Sequence, residues 1–463
     1  MAEQYDVLIL GSGQAGNPLS SDFVKAGRRV ALIERAEVAG TCINYGCTPT
    51  KTMVASAQRA WQARHAGELG IEVGPVRVNI EQVRARKRKI VEQFRASNEK
   101  RFASGQPELV RGEARFVASK EIAVALKAGG ERRLAAETIV IDTGDSPTVP
   151  KTAGLDGVSY LDNVSLMELD VVPEHLVILG GGYEAVEFGQ MFRRFGSAVT
   201  LLERGEHLLG HEDAEISEAI EAILREDGLT IETGANAVRV DGKAGAVTVH
   251  LEDGKSVSGS HLFLGVGRSP NTKELHLDAA GVLTDEHGYI KVDDELHTNV
   301  PGIYAVGDVK GGPAFTHVSY DDYRILRDNL VFNTSSGGKG RRKTTDRTTV
   351  YVVYMDPQLG RVGMTEAEAR RSGRRIKVAR MPVAWIARAI ETGETRGLLK
   401  AIVDTDTEEI LGAAILAPEG GELMSMLELA MMGKLCYSVL ENAVFAHPAY
   451  AESLNTLWGH FEE

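Results

Sequence analysis

Tyr5-Asp-Val-Leu-Ile-Leu10-Gly-Ser-Gly-Gln-Ala-Gly16 decides the fold. Tyr5 to Leu10 is an apolar run of the kind that forms a buried parallel strand. In the turn after it, Gly11 allows the chain to reverse. Gly13 lets the backbone approach a pyrophosphate, and Gly16 lets a helix pack on the strand. That helix is expected to end near Gly27, and a second strand, Arg29 to Ile33, leads to Glu34, placed to accept hydrogen bonds from an adenosine ribose. The helix N-terminus adds amide donors and partial positive charge. Pro18 is compatible with a helix only in the first turn, where its missing amide costs no hydrogen bond. A glycine triplet alone is weak; one with its strand, helix and terminal acid is a dinucleotide-binding unit.

A second copy follows. Leu176-Val-Ile-Leu179 is its strand, Gly180-Gly-Gly182-Tyr183-Glu-Ala185 its turn, and Val199-Thr-Leu-Leu202 the next strand, ending at Glu203. The chain therefore has places for two dinucleotides. Glu203 favours the ribose 2′-hydroxyl of NADH and opposes the 2′-phosphate of NADPH, while Arg204 beside it offers the phosphate a partner, so NADPH stays possible. A third stretch, Thr298-Asn-Val-Pro-Gly-Ile-Tyr-Ala-Val-Gly307-Asp308, reads as a turn, a buried strand, then glycine and a carboxylate.

A few residues beyond the first copy lies Cys42-Ile-Asn-Tyr-Gly-Cys47-Thr-Pro-Thr-Lys51, after the small pair Gly40-Thr41 and before a helical run, Thr50 to His65. Paired cysteines can form a staple or half a zinc site. A chain of 463 residues needs no staple, and the third cysteine, Cys436, cannot complete a zinc set. A redox-active pair beside a nucleotide cofactor fits better.

Length implies about three or four domains. An apolar fraction of 43% excludes disordered and fibrous classes. A net charge of −13 disfavours nucleic acid and anionic membranes as partners. No apolar run is long enough to span a bilayer, and Met1-Ala-Glu-Gln-Tyr5 lacks the basic region of a signal peptide. The expected location is the cytoplasm, where cysteines stay reduced unless they cycle.

Gly11–Gly16, Cys42–Lys51, Gly180–Glu187, Gly267-Arg-Ser-Pro-Asn271, Thr298–Asp308 and His447-Pro-Ala-Tyr-Ala-Glu452 together resemble the pyridine nucleotide-disulfide oxidoreductases. That family includes glutathione reductase, dihydrolipoamide dehydrogenase and mercuric reductase. Within it, Cys47–Thr52, Val309–Thr316 with Tyr320–Arg324, Arg361–Thr365 and Phe445–Pro448 leading to Ser453–Asn455 look most similar to the bacterial reactive-chlorine-resistance flavoproteins, which reduce hypothiocyanous acid.

The resemblance implies an α/β fold with two Rossmann-type nucleotide-binding domains and an α+β C-terminal dimerisation domain, as in glutathione reductase. The expected division is an FAD-binding domain in two parts (1–149 and 272–342), an NAD(P)-binding domain (150–271) and a dimerisation domain (343–463). FAD would contact Gly11, Gly13, Gly16, Glu34, Gly40, Thr41, Thr143, Gly144 and Asp308. NADH, or NADPH, would lie on Gly180, Gly182, Tyr183, Ala185, Glu203, Arg204 and Gly267, with Tyr183 gating the nicotinamide. Electrons would pass through FAD to the Cys42–Cys47 disulfide, with Cys47 as the charge-transfer thiolate and Cys42 as the thiol that attacks substrate. Lys51 and Glu187 would pair near the flavin. His447, oriented by Glu452, would serve as base from the partner subunit, so the active site would exist only in a homodimer.

The expected substrate is a small oxidant or disulfide, hypothiocyanous acid foremost. The alternatives are a mercuric or copper ion reductase and a dihydrolipoamide or low-molecular-weight disulfide reductase; a flavin-bound redox sensor is a further, non-enzymatic reading. The chain ends at Trp458-Gly-His-Phe-Glu-Glu463 without the cysteine pair of mercuric reductases, which favours the oxidant. Two departures stand out: Ala39 replaces a usual glycine, and His317 stands where relatives tend to have tyrosine.

Blander readings apply elsewhere. Arg84-Ala-Arg-Lys-Arg-Lys89 is expected to be a solvated helix face, and Asn333 to Arg347 a mobile connection. Met424, Met426, Met431 and Met432 read as interface core rather than soft-metal ligands, and Cys436 as a buried thiol.

Overall fold

The computed structural model describes residues 1–243, 245–332 and 341–462. The chain forms two compact units, each assembled from three separated segments. The first contains Met1–Thr52, Ala85–Thr148 and Gly267–Arg347; the second contains Met53–Arg84, Val149–Val266 and Thr348–Glu463.

In the first unit, strand Glu3–Leu10 pairs in parallel with Val30–Glu34 on one side and Glu131–Ile141 on the other. Ile303–Ala305 extends the sheet beyond Glu131–Ile141. The long strands Glu108–Ala118 and Glu131–Ile141 continue past this layer and pair antiparallel with Glu121–Leu126. Every residue of Val30–Glu34 is buried, as a strand covered on both faces requires. Helix Gly16–Lys25 runs between the first two strands, with Pro18 in its first turn as expected.

The second unit holds the other nucleotide-binding layer, a four-stranded parallel sheet of His261–Leu264, His175–Leu179, Ala198–Leu202 and Thr230–Glu232. Helix Tyr183–Phe195 packs Phe188 and Phe192 into the apolar core beside it. The same unit carries a five-stranded antiparallel sheet in the order Val350–Val353, Gln358–Gly363, Ile410–Ala417, Leu398–Asp404, Ile376–Pro382. All eight residues of Ile410–Ala417 are buried, and helix Gly420–Met432 lies over this sheet.

A knot of buried charge runs through the second unit. Arg361, on a strand of the antiparallel sheet, donates from Nε to Glu212 at 2.9 Å and pairs with Asp213 at 3.2 Å. Lys400 on a neighbouring strand pairs with Asp213 at 3.1 Å and Glu366 at 2.8 Å, and contacts Glu215. Arg380 joins Glu215 and Glu366, and the Tyr351 hydroxyl donates to Glu212. Arg361, Lys400 and Glu212 have almost no exposed side-chain surface. Such charges persist in a core only because each is matched.

Three surface expectations change, over the Arg84–Lys89 tract, the stretch ending at Arg347, and Cys436. The Arg84–Lys89 tract is not uniformly solvated: Lys87 is buried, Arg84 donates to Glu168 O at 2.7 Å, and Arg86 to Thr52 O at 2.8 Å. Of the connection expected over Asn333 to Arg347, residues 333–340 lie outside the described residues. Its remainder is tied down rather than mobile, by Arg341–Glu295 at 2.6 Å, Arg342–Asp321 at 2.9 Å and Arg347–Asp321 at 3.2 Å. Met424 is core, Met426 and Met431 pack partly against it, and Met432 is exposed. Cys436 is half-buried, its thiol directed at Thr407 O, because it precedes a short surface helix, Tyr437–Glu441, rather than lying under the sheet.

Candidate active site

The first glycine turn is sterically closed around a carboxylate. Gly11 has φ +105°, and a methyl group there would lie 2.2 Å from Asp142 O. At Gly13 and Gly16 a methyl would lie 2.8 Å from Asp142 Oδ2, which accepts a hydrogen bond from Gly16 N at 2.7 Å. Glu34, at the end of its strand, is buried and held on both oxygens. Ser12 N and Oγ donate to Oε2 at 3.0 and 2.6 Å, and Ala36 N donates to Oε1 at 2.8 Å. An ionised carboxylate retains lone pairs beyond these, so Glu34 can still accept from a sugar hydroxyl.

The cysteine segment is packed directly onto this turn. Gly40 has φ +66°, and a methyl on it would lie 2.8 Å from Gly13 Cα. Ala39 holds the left-handed φ of 81°, fixed by Ser12 Oγ, which accepts from its N–H at 3.0 Å. A short helix, Gly40–Asn44, carries Thr41 and Cys42; Cys47 begins the long helix Cys47–Arg64, with Lys51 one turn further on. Asn44 clamps the segment between the helices. Its Nδ2 donates to Val38 O and Gly40 O, both at 2.9 Å, and its Oδ1 accepts from Arg95 Nε at 2.9 Å.

The two sulfurs are not joined in a disulfide. Cys47 Sγ lies 3.1 Å from Thr316 Oγ1, in the first turn of helix Thr316–Leu326. The hydrogen bond with Cys47 is the largest influence on Cys42; with burial and the Cys47 charge it drives the Cys42 thiol strongly upward, against opposing effects from Thr316 and Lys51. Burial and the neighbouring Cys47 thus oppose ionisation of Cys42. Two helix N-termini, those of Cys47–Arg64 and Thr316–Leu326, are placed to favour negative charge at Cys47. Nearby, burial and the Asp145 charge push Asp308 up to about 7, with Cys47 adding to the rise and Arg268 and Lys310 opposing it. His317, exposed, stacks on Phe315 with ring centroids 5.4 Å apart.

Thr143 and Gly144 are joined to the Gly267–Asn271 stretch. Thr143 Oγ1 donates to Asn271 O at 3.0 Å, Asn271 Nδ2 to Thr143 O at 2.9 Å, and Asn271 N to Gly144 O at 2.9 Å. Arg268 Nε meets Asp145 Oδ1 at 2.7 Å. Gly267 belongs to this first unit, its carbonyl accepting from Thr148 N.

In the second unit Gly180 repeats the role of Gly11: φ is +108°, and a methyl would lie 2.3 Å from Gly265 O. Gly182 faces open space, where a ligand's backbone-side approach is unobstructed, while Ala185 is fully buried. Tyr183 opens the helix that carries Glu187, which is buried and accepts from Tyr354 N at 2.8 Å. Glu203 Oε1 accepts from Gly205 N at 2.6 Å, fixing the carboxylate at the end of its strand. Arg204 is exposed.

His447 and Glu452 meet. His447 Nδ1 donates to Glu452 Oε2 at 2.8 Å, which leaves Nε2 as the accepting nitrogen of an exposed ring. Asp142 and Thr316 were not singled out by sequence reading. The only signal for Asp142 is an acid ending an apolar strand just before Thr143-Gly144. Thr316 closes a stretch that resembles relatives but fits no spacing rule.

Two cradles that any side chain would fill, each followed by a helix N-terminus and closed by a fixed acid, fit two dinucleotides. Residues 5–322 match the family described as pyridine nucleotide-disulphide oxidoreductase, and residues 349–458 match its dimerisation domain. The chain belongs to the pyridine nucleotide-disulphide oxidoreductase family. It is 40% identical over 462 residues to the probable pyridine nucleotide-disulfide oxidoreductase RclA of Escherichia coli, covering 98% of this chain and 99% of that one. It is 33% identical to a mercuric reductase of Staphylococcus aureus, over 97% of this chain and 81% of the relative. A solved Cu(II) complex of HOCl-induced flavoprotein disulfide reductase RclA from E. coli superposes with a TM-score of 0.88 at 40% identity, over 99% of both chains. The protein is thus a flavoprotein disulfide reductase with the glutathione reductase-like fold, of an FAD- and NAD(P)H-dependent family. Among the described residues no helix is long and apolar enough to cross a membrane, and no group of three or more His, Cys, Asp or Glu could hold a metal.

Proposed function

We propose that the protein reduces a small electrophilic oxidant of sulfur, hypothiocyanous acid foremost, with electrons drawn from NADH. The observation that carries this reading is the asymmetry of the thiol pair: Cys47 Sγ lies 3.1 Å from Thr316 Oγ1 at a helix N-terminus, while burial and Cys47 oppose ionisation of Cys42. Such a pair has one sulfur ready to resolve an adduct and one awaiting a base. The similarity to an HOCl-induced relative supports an oxidant as the acceptor.

FAD, when bound, supplies the two-electron connection between the nicotinamide and the disulfide. His447 of the partner subunit takes the Cys42 proton, its ring held by Glu452 in the tautomer that accepts at Nε2. Cys42 sulfur bonds to the sulfur of hypothiocyanous acid, the S–O bond breaks, and the departing hydroxide takes that proton and leaves as water. Cys47 then attacks Cys42 sulfur, thiocyanate leaves, and the disulfide forms. One hypothiocyanous acid, two electrons and one proton give thiocyanate and water. The reading places the protein as a homodimer in the cytoplasm.

Glu203 supports NADH as the donor. Its carboxylate is pinned by Gly205 N–H where a 2′-phosphate would bring a second negative charge.

The test is a stopped-flow panel in which two-electron-reduced enzyme meets hypothiocyanous acid, oxidised glutathione, a lipoamide disulfide, Cu(II) and Hg(II). The expected result is fastest reoxidation by hypothiocyanous acid. Faster reoxidation by any other member of the panel overturns the substrate assignment.

A further inference from the structure

Asp322 is a fully buried carboxylate in the middle of helix Thr316–Leu326, within the Tyr320–Arg324 stretch singled out in the sequence. Its Oδ2 accepts from Gly307 N at 2.9 Å, in the turn Gly307–Lys310 that carries Asp308. Gly307 has φ +69°, and a methyl on it would lie 3.1 Å from Asp142 Oδ1 and 3.1 Å from Ser319 Oγ. The turn is therefore wedged between Asp142, at the end of its strand, and the helix face formed by Ser319 and Asp322 one turn apart.

Two cations return to the same carboxylate. Lys310 Nζ, from the far end of the turn, lies 3.3 Å from Oδ2, and Arg347 Nη2 lies 2.5 Å from Oδ1. Lys310 thus closes the turn on the acid that holds its first amide. Both oxygens are engaged, as a carboxylate without exposed surface requires. The same helix presents Thr316 in its first turn, with Oγ1 3.1 Å from Cys47 Sγ. On the other side of the link, Asp308 adjoins the amide that Asp322 holds, and it lies near enough to Cys47 for their charges to interact. One buried side chain accordingly joins two pieces of the site that are remote from Cys47 in sequence.

We propose that Asp322 is a positioning residue that holds the Gly307–Asp308 turn and the Thr316 end of its helix in one frame, so that FAD binding and the Cys47 thiolate depend on the same carboxylate. The inference rests on FAD lying at Asp308 and on Cys47 being the sulfur that carries negative charge. Asp322 acts through Gly307 N on one side and through its helix on the other, and takes no part in proton or electron transfer. Without the acceptor, the Gly307 N–H is stranded in the interior and the turn is released from the helix. A buried amide left unpaired in this way changes an equilibrium that depends on it by about tenfold or more.

The experiment compares three variants of the holoenzyme by FAD dissociation constant, by long-wavelength absorbance of the reduced form at neutral pH, and by melting temperature. Asp322→Ala should bind FAD at least about tenfold more weakly and, at saturating FAD, lose most of the long-wavelength absorbance. Asp322→Asn, which keeps an oxygen for Gly307 N, should recover the greater part of both. Tyr323→Phe removes a different hydrogen bond of the same helix, from the hydroxyl to Asp22 Oδ2 at 2.7 Å. It should lower the melting temperature with FAD binding and absorbance unchanged. Wild-type FAD affinity and absorbance in Asp322→Ala overturn the inference. So do equal losses in Tyr323→Phe, which would reduce Asp322 to a general support of the fold. If the Ala variant does not fold, hydrogen exchange in wild type decides: FAD should slow exchange in the 307–310 and 316–322 peptides together, and protection of the first alone overturns the coupling. A wild type that binds FAD but shows no long-wavelength band would instead remove the reading of Cys47 on which the inference rests.

Discussion

Thr316 Oγ1 lies 3.1 Å from Cys47 Sγ, across a sequence separation of 269 residues. A hydroxyl at that distance donates to a thiolate, and a hydrogen bond to a charged group contributes about 1.5–3 kcal/mol. Thr316→Val should therefore move the appearance of the Cys47 thiolate to higher pH. Thr316→Ser should restore it. The readout is the pH dependence of the long-wavelength absorbance of the reduced holoenzyme; identical titrations in wild type and the Val variant would exclude the role.

Removal of either thiol separates their roles. Cys42→Ser should keep FAD and the long-wavelength band but lose turnover with the oxidant, whereas Cys47→Ser should lose the band. Full activity in Cys42→Ser would rule out the disulfide mechanism.

Ala39 is a strained position that glycine would relieve. Its φ of 81° places a Cβ in the left-handed region, at a cost of roughly 1–2 kcal/mol, while glycine adds unfolded-chain entropy worth about 0.4–1 kcal/mol in the opposite direction. Ala39→Gly should leave stability unchanged or raise it by up to about 1.6 kcal/mol. A clear loss in denaturant unfolding would show that the strain is relieved another way.

Asp308 makes the cofactor-free protein less stable as pH rises from acid toward neutrality. Its carboxyl is pushed up to about 7 by burial and the Asp145 charge, whereas in the unfolded chain it titrates near about 3.9. Between those values the folded state binds more protons, so this residue's contribution to stability falls as pH rises from about 4 to about 7 and levels off above. Asp308→Asn should flatten that part of the stability profile of the FAD-free protein. An unchanged profile would place the titration elsewhere.

The two glycine turns and the cysteine pair were legible because their meaning lies in local spacing: strand, turn, helix and acid follow one another along the chain. The His447–Glu452 contact is local for the same reason. Asp142 and Thr316 belong to the same neighbourhood in space but enter it from remote segments, and no periodicity announces a side chain that arrives from another strand or helix. Lys87 and Cys436 were misjudged because composition and helical period do not report what packs over a given face.

The buried knot around Arg361 sets how the second unit can be dismantled. Arg361→Ala would abandon Glu212 in the core, a loss of about 3–5 kcal/mol, to be read as a lower urea midpoint. Its members come from the 212–215 stretch, the strands carrying Tyr351, Arg361, Arg380 and Lys400, and the helix carrying Glu366. No strand among them can peel away alone without stranding a charge in an apolar interior. A protease should consequently find few partly opened forms to cut here, and the unit should resist digestion until it yields in a single event.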